Sequence, residues 1–220
     1  MMMIRLIDFI NSRLSVIILS PFLIPICIIL KLTGEGEIFY AQERVGRFGK
    51  NFKLLKFATM VKDSPNIGSK ELTLKNDPRV LPFGKFLRKS KINELPQLLN
   101  VIYGDMSIIG PRPMVPNTYE HYPKKARDLL NQIRPGLSGI GSIVFRDEES
   151  FLENKNDPQE FYINVIIPYK SELETWYAKN NSLKNYLKCI IATILIISLP
   201  KMDIVKIFFK NIPKKPSDLQ

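Results

Sequence analysis

The chain has 220 residues, 45% of them hydrophobic, enough for one buried core with appendages and too apolar for a disordered chain. Its formal charge is +11, and the excess is uneven: residues 31–100 hold 14 Lys and Arg against 7 Asp and Glu, while residues 101–180 hold 9 against 11. A basic body points to anionic partners, a membrane surface and phosphorylated ligands. Nucleic acid is set aside, because no recognition motif is present and the cations are not interleaved with an aromatic stacking platform. Cys27 and Cys189 lie in apolar runs and read as buried thiols, and the lone His121 has no partner at metal-ligand spacing.

Taken in order, the chain opens on an apolar run from Leu14 to Leu30, 17 residues in which only Ser15 and Ser20 are polar. As a straight helix it would be ~26 Å long, short of the ~30 Å hydrocarbon core of a bilayer. Pro21 and Pro25 fall inside it, and cations flank both ends (Arg5 and Arg13 before, Lys31 after). A mid-helix proline removes a backbone bond, and a single span would carry one cationic flank outward, against the positive-inside tendency. The expectation is a helix that enters the bilayer, breaks at Ser20-Pro21 and returns to the same face. A plain transmembrane anchor is the rival.

Ile38–Tyr40 and Phe52–Leu55 read as two short strands joined through Gly46 and Gly49, a hairpin made cationic by Arg44, Arg47, Lys50, Lys53 and Lys56. Those cations are expected to form a solvated or lipid-facing surface. Lys62–Lys75 reads as a polar loop, followed by the turn Asn76-Asp77-Pro78-Arg79.

The densest chemistry lies from Arg88 to Pro113, RKSKINELPQLLNVIYGDMSIIGPRP. Leu95, Leu98, Leu99 and Ile102 recur at helical spacing. Pro96 is tolerable only in a first turn, so the helix is expected to start near Asn93 with Asn93 as its cap. Gly104 is the stop signal. Glu94 then sits at the helix start, and Arg112 is stiffened between Pro111 and Pro113, a form suited to bidentate phosphate binding. Downstream, a helix is expected from about Lys124 to Ile133. Gly136, Gly139 and Gly141 allow close approach to a ligand, and Arg146, Asp147, Glu148 and Glu149 cluster together. A 13-residue apolar run, Leu187–Leu199, is too short to span. In KMDIVKIFFKNIPKK, Ile204, Val205, Ile207, Phe208 and Phe209 alternate with Lys201, Lys206 and Lys210, the pattern of a basic helix lying among headgroups.

The pieces ELPQL, N-V-x-x-GDMS and GPRP, with Q-x-R-V-G and DPRV-x-x-FG-x-x-LRK before them and RPGxxG after, make the chain resemble the bacterial sugar transferase family, the monotopic polyprenyl-phosphate phosphoglycosyl transferases, from the N-terminus to about residue 200. The resemblance implies transfer of a sugar-1-phosphate from a nucleoside-diphosphate sugar, UDP-linked in the leading reading, to polyprenyl phosphate, with Mg²⁺, at the cytoplasmic face of a bacterial inner membrane. It also implies a re-entrant helix and a metal role for the glutamate at Glu94. Arg88 and Arg112 become phosphate partners, and Arg134, Gly136, Gly139 and Arg146 join them on the donor. The expected architecture is α-rich α+β with one small sheet: a membrane helix over 1–33, a catalytic body over 34–185 and an apolar, basic interfacial tail over 186–220.

Three departures matter. Ala58 stands where the family usually has arginine, and SIVFRDEES replaces a usual glycine-arginine pair. Asn93 stands where the family has its nucleophilic aspartate. An amide caps a helix as well as a carboxylate does but has no anionic oxygen for attack. Four readings stay open: Glu94 as nucleophile, one of Asp147, Glu148 or Glu149 as substitute carboxylate, direct transfer with no covalent intermediate, or an inactive membrane scaffold for a glycan-assembly complex. Retention of Glu94, Arg88 and Arg112 together favours an enzyme.

Overall fold

The computed structural model describes residues 2–67, 77–153, 155–199, 204–209 and 211–219. Most of the expected loop over 62–75 lies outside them, as do Asn76, Lys201 and Lys210. The chain opens with α1, Met2–Leu32, which continues through both Pro21 and Pro25. The expected break at Ser20-Pro21 is therefore not present. Pro21 has no N–H to give the Ile17 carbonyl, but the Ser20 hydroxyl donates to that same oxygen at 2.8 Å, so the bond that proline removes is replaced locally.

One face of α1 lies against the body at both ends. Near the start, Asp8 is fully buried. Its carboxylate accepts from the Ser107 hydroxyl at 2.8 Å, the Ile108 N–H at 2.9 Å and the Tyr186 hydroxyl at 2.7 Å. Three donors offset the cost of burying that acid in an apolar helix. Near the other end, Leu30 packs with Phe57 and Leu87, joined by Leu23 and Ile26. The opposite face leaves Leu14, Ile17, Ile18, Phe22 and Ile28 bare.

The hairpin forms as expected and is longer. Strand β1, Phe39–Val45, pairs antiparallel with β2, Asn51–Phe57, from Phe39↔Phe57 to Val45↔Asn51. It rests on α3, Gln97–Tyr103, through Asn100, whose side-chain amide donates to the Lys53 carbonyl at 2.8 Å and accepts from the Leu55 N–H at 3.0 Å. Gly104, at φ 98°, ends α3 as expected, and the Arg5 guanidinium caps that end at the Val101 and Ile102 carbonyls.

Helix α2, Pro82–Lys89, precedes this unit. After α3, β3 (Ser107–Ile109) pairs parallel with β4 (Gly136–Ser138). Between them lie α4, Pro116–Glu120, and α5, Lys124–Leu130, the latter where a helix was expected. The short helices α6 (Ile140–Val144), α7 (Glu148–Leu152) and α8 (Pro158–Phe161) follow. A π-helical turn over Tyr162–Ile166 leads into α9, Ile167–Lys179, and then α10, Leu183–Ser198. The main core gathers Ile140, Ile166, Leu173, Tyr177, Tyr186 and Cys189 from these helices. Helix α10 is two-faced: Cys189 and Ala192 are buried, while Leu187, Ile191, Ile194 and Ile197 are exposed, an apolar face like the bare one of α1.

The end of the chain folds partly onto the body. Helix α11, Ile204–Phe208, is short, and Ile204, Phe209 and Leu219 are buried in the main core. Phe209 meets the Trp176 ring edge-on. Ile204 and Phe209 cover an apolar surface on α9 and α10, while Ile207 of α11 stays exposed.

Candidate active site

Four segments converge on a cavity of about 2280 Å³. The last turn of α2 carries Arg88 and Lys89. Lys91 then adopts a left-handed conformation, φ 60°, and turns the chain into a 3₁₀ turn, Ile92–Glu94. Helix α3 begins only at Gln97, with Pro96 at its cap position and no side-chain cap. Asn93 is thus not the cap that its spacing suggested. It is buried inside the 3₁₀ turn, and its Oδ1 has no hydrogen-bond partner among the described residues. The i→i+3 bonds Leu95 N–H to Ile92 and Leu98 N–H to Leu95 carry the chain past Pro96 without needing its missing donor.

Glu94 faces the cavity and is met by the second segment. Arg112 donates from Nη2 to Glu94 Oε1 at 3.1 Å. Its backbone is braced from both sides: its N–H donates to Glu174 Oε1 at 3.2 Å, and Arg44 donates to the Pro113 carbonyl at 2.9 Å. Burial alone would raise the Glu94 carboxyl, but Arg112, Lys56 and Lys91 outweigh it and hold its pKa at about 2. Glu94 in turn drives the Arg112 pKa upward against burial.

The third segment is β2, which contributes Lys56. Burial and the neighbouring Arg44 lower its ammonium to about 7, with Glu94 opposing and Arg112 and Arg88 reinforcing. The fourth is the acidic run. Glu148 Oε2 takes an ion pair from the buried Lys170 at 2.6 Å, and Glu149 pairs with Arg88 at 3.7 Å. Asp147 and Arg146 line the same cavity, with Arg146 also donating to the Ile196 carbonyl. The acids that the sequence left unplaced therefore share one space with Glu94.

Other expected donor residues lie elsewhere. Arg134 Nε donates to the Gly104 carbonyl at 2.8 Å and does not line the cavity. The room at Gly136 and Gly139 is taken by the Gly110 backbone, which a Cβ on either would meet at 2.0 and 2.1 Å. That close approach joins two strands of the chain, where a ligand had been expected. Gly141 makes room for Glu174. Ser20 and Pro21 stay on α1. His121 lines the cavity wall, and among the described residues no three His, Cys, Asp or Glu side chains converge to hold a metal.

Sequence reasoning missed Lys56, Lys170 and Glu174. Lys56 had been pooled with the surface cations of the hairpin. Lys170 and Glu174 stand at i and i+4 with opposite signs, the signature of a solvated helix pair, yet both are buried.

The arrangement, one ionised carboxylate ringed by cations at the base of a wide cleft, is suited to holding a polyanion. A match to the family described as bacterial sugar transferase covers residues 1–199. The chain belongs to that family. Among its relatives, it is 39% identical over 161 residues to the exopolysaccharide production protein ExoY of Sinorhizobium fredii, covering 67% of this chain and 71% of that one. It is 37% identical over 165 residues to a UDP-glucose:undecaprenyl-phosphate glucose-1-phosphate transferase of Klebsiella pneumoniae, covering 74% of this chain and 35% of that one. It is 32% identical over 208 residues to an undecaprenyl-phosphate galactose phosphotransferase of Salmonella typhimurium, covering 88% of this chain and 40% of that one. The chain thus spans well under half the length of the latter two relatives.

Proposed function

We propose that the protein transfers a sugar-1-phosphate from a nucleoside-diphosphate sugar to a polyprenyl phosphate at the cytoplasmic face of the membrane, an early membrane step of surface-glycan assembly. The observation that carries this is the Glu94–Arg112 pair at 3.1 Å on the floor of a cavity that also holds Arg88 and Lys56. Support comes from the substrates named for the Klebsiella relative and from the apolar wall that Ile190, Ile194 and Ile197 of α10 give the same cavity. The bare apolar faces of α1 and α10 fit a body resting on a bilayer with the mouth of the cleft at lipid level. Helix α1 is long and apolar enough to cross a membrane. Its attachment to one body at both ends favours a helix embedded from one side.

Both substrates are polyanions, and Arg88, Arg112 and Lys56 would bind and orient their phosphates. In the transfer, an oxygen attacks the phosphorus that carries the sugar, the bond from that phosphorus to the bridging oxygen breaks, and nucleoside monophosphate leaves with the electron pair. The residues fit a Mg²⁺ ion. Glu94 offers a carboxylate, and the neighbouring Asn93 carries a buried Oδ1 with no hydrogen-bond partner among the described residues, a neutral oxygen it could offer as well. One or two protein oxygens with the rest from phosphate and water is the usual pattern for this cation. When bound, it would offset the negative charge on the phosphate oxygens.

The incoming oxygen belongs to the acceptor phosphate if transfer is direct. A second reading is favoured by the acids of α7. Glu148, held at 2.6 Å by Lys170 and close enough to push the Arg112 pKa up, lines the cavity where a substitute for the missing aspartate would act. Its carboxylate would take the phosphosugar, and the acceptor phosphate oxygen would then displace it.

The test is release of nucleoside monophosphate by purified protein across a panel of nucleotide sugars. Release that requires both polyprenyl phosphate and Mg²⁺ is expected. Its absence across the panel overturns the enzyme reading in favour of a scaffold. Intersecting initial-rate lines go with direct transfer and parallel lines with the covalent route.

A further inference from the structure

We infer that Glu174 is a positioning residue for the transfer centre, fixing the backbone of Arg112 so that its guanidinium meets Glu94 and the substrate phosphates. The inference rests on the proposed transfer reaction and adds to it a residue that touches neither substrate.

Arg112 lies between two prolines, in the tripeptide Pro111-Arg112-Pro113. Prolines have no N–H, so this stretch has a single backbone donor, that of Arg112. Glu174 Oε1 accepts it at 3.2 Å. Glu174 is only 2% exposed on α9 and does not line the cavity. Its other oxygen, Oε2, has no hydrogen-bond partner among the described residues. A half-satisfied buried carboxyl costs the fold free energy. A leucine there would fill the same space without that cost but would leave the Arg112 N–H unbound. The acid is thus unfavourable as packing and useful only through the bond it makes.

A second feature converges on the same oxygen. Gly141 of α6 packs so closely that a Cβ there would stand 2.3 Å from Glu174 Oε1. The glycine is the notch in which the carboxyl sits. Helix α9 also carries Lys170, one turn earlier, which holds Glu148 at 2.6 Å. One buried helix face therefore supports both sides of the cleft, Arg112–Glu94 through Glu174 and Glu148 through Lys170.

The test uses Glu174→Gln, Glu174→Ala and Gly141→Ala in the full-length protein. Glutamine keeps an oxygen for the Arg112 N–H, so Glu174→Gln should stay within ~3-fold of wild-type kcat. Glu174→Ala should lose ~30-fold or more in kcat, the scale of a misplaced catalytic group, with thermal unfolding still cooperative. Gly141→Ala should displace the carboxyl and reproduce the loss. The double variant Glu174→Ala/Gly141→Ala should lose no more than either alone, since both act through one contact. Equal loss in Glu174→Gln and Glu174→Ala, or additive losses in the double variant, would overturn the inference.

A binding measurement separates this from failure of the reaction itself. Calorimetric titration with inorganic pyrophosphate reads the placement of Arg112 without turnover. Affinity ~10-fold weaker in Glu174→Ala than in Glu174→Gln supports the positioning role even if no nucleotide sugar is turned over, and equal affinity in the two variants refutes it.

Discussion

Two arginine–carboxylate pairs in this protein share the same chemistry and differ in what surrounds them. Asp77 and Arg79 pair at 2.6 Å, with side chains only 3% and 4% exposed. Arg79 also donates to the carbonyls of Ser64 and Ile67, both at 2.9 Å. Its fork is spent on the protein. Glu94 and Arg112 pair at 3.1 Å with the guanidinium 40% exposed, and that is the side-chain hydrogen bond Arg112 makes among the described residues. A saturated, buried pair holds a fold together. An unsaturated pair on a cavity floor keeps donors for something that arrives from solution.

The sharpest way to break the comparison is to neutralise each pair in turn. Glu94→Gln keeps size and removes charge from the centre. It should lower turnover ~10³-fold or more, in the range of losing one electrostatic contact to a transition state, with a smaller loss of stability than breaking the saturated pair, since the guanidinium left behind is 40% exposed. Arg79→Ala should do the reverse. It leaves Asp77 buried without its cation, which costs about 3–5 kcal/mol, while folded protein keeps its specific activity within ~3-fold. Urea unfolding in detergent and the turnover assay on the same samples check both. Equal stability loss from the two variants would erase the distinction.

The next effect is smaller and comes from pH. Glu94 and Glu174 are shifted in opposite senses. Burial raises Glu174 to about 7 against Arg112 and Lys170. Unfolded, it would ionise near its ordinary value, so between about pH 4.5 and 7 the folded state holds a proton the unfolded state has lost. Stability therefore falls as pH rises through that window, by ~3 kcal/mol in all. The Glu94 contribution is present throughout that window and is lost only as the pH drops toward 2. Denaturation midpoints from pH 4.5 to 7 should decline in the wild type and flatten in Glu174→Gln. A wild-type slope retained in that variant would assign the titration to another group.

How much of this was legible in the sequence follows from the range of the forces involved. Local signals were readable: the hairpin through Gly46 and Gly49, the stop at Gly104, the stiff Pro111-Arg112-Pro113 and the helix over Lys124–Leu130. Glu94, Arg88 and Arg112, grouped by ordered motifs, line one cavity in the fold, because motif order carries tertiary information that periodicity lacks. The failures sit where a local rule had two solutions. Pro96 fits the start of an α-helix or the end of a 3₁₀ turn, and the second left Asn93 buried with its Oδ1 unbonded among the described residues. Pro21 breaks a helix unless a neighbour supplies the lost donor, as Ser20 does. The pairing of β3 with β4 involves three residues on each strand, too short a run to read. The tail's apolar residues were readable, but only the folded body could show the apolar surface on which Ile204 and Phe209 are buried.

The smallest expected effects concern Asp147 and the two acids of α7, and they sharpen the comparison between spent and available charge. Glu149 is 46% exposed and meets Arg88 at 3.7 Å, a loose pair worth little by itself. Glu148 is 25% exposed and is held by a lysine that is 7% exposed, so its removal strands a buried ammonium. Asp147→Asn and Glu149→Gln should each leave turnover within ~3-fold. Glu148→Gln is the informative member of the set. In direct transfer it should cost stability through Lys170 while folded protein retains most of its kcat. In the covalent route it should abolish transfer, and acid-quenched wild type should retain labelled phosphosugar on the peptide containing Glu148, because an acyl phosphate survives that quench. The same experiment on Glu94→Gln closes the choice: label kept at Glu148 with turnover lost would make Glu94 the organiser of phosphate and cation, and Glu148 the attacking group.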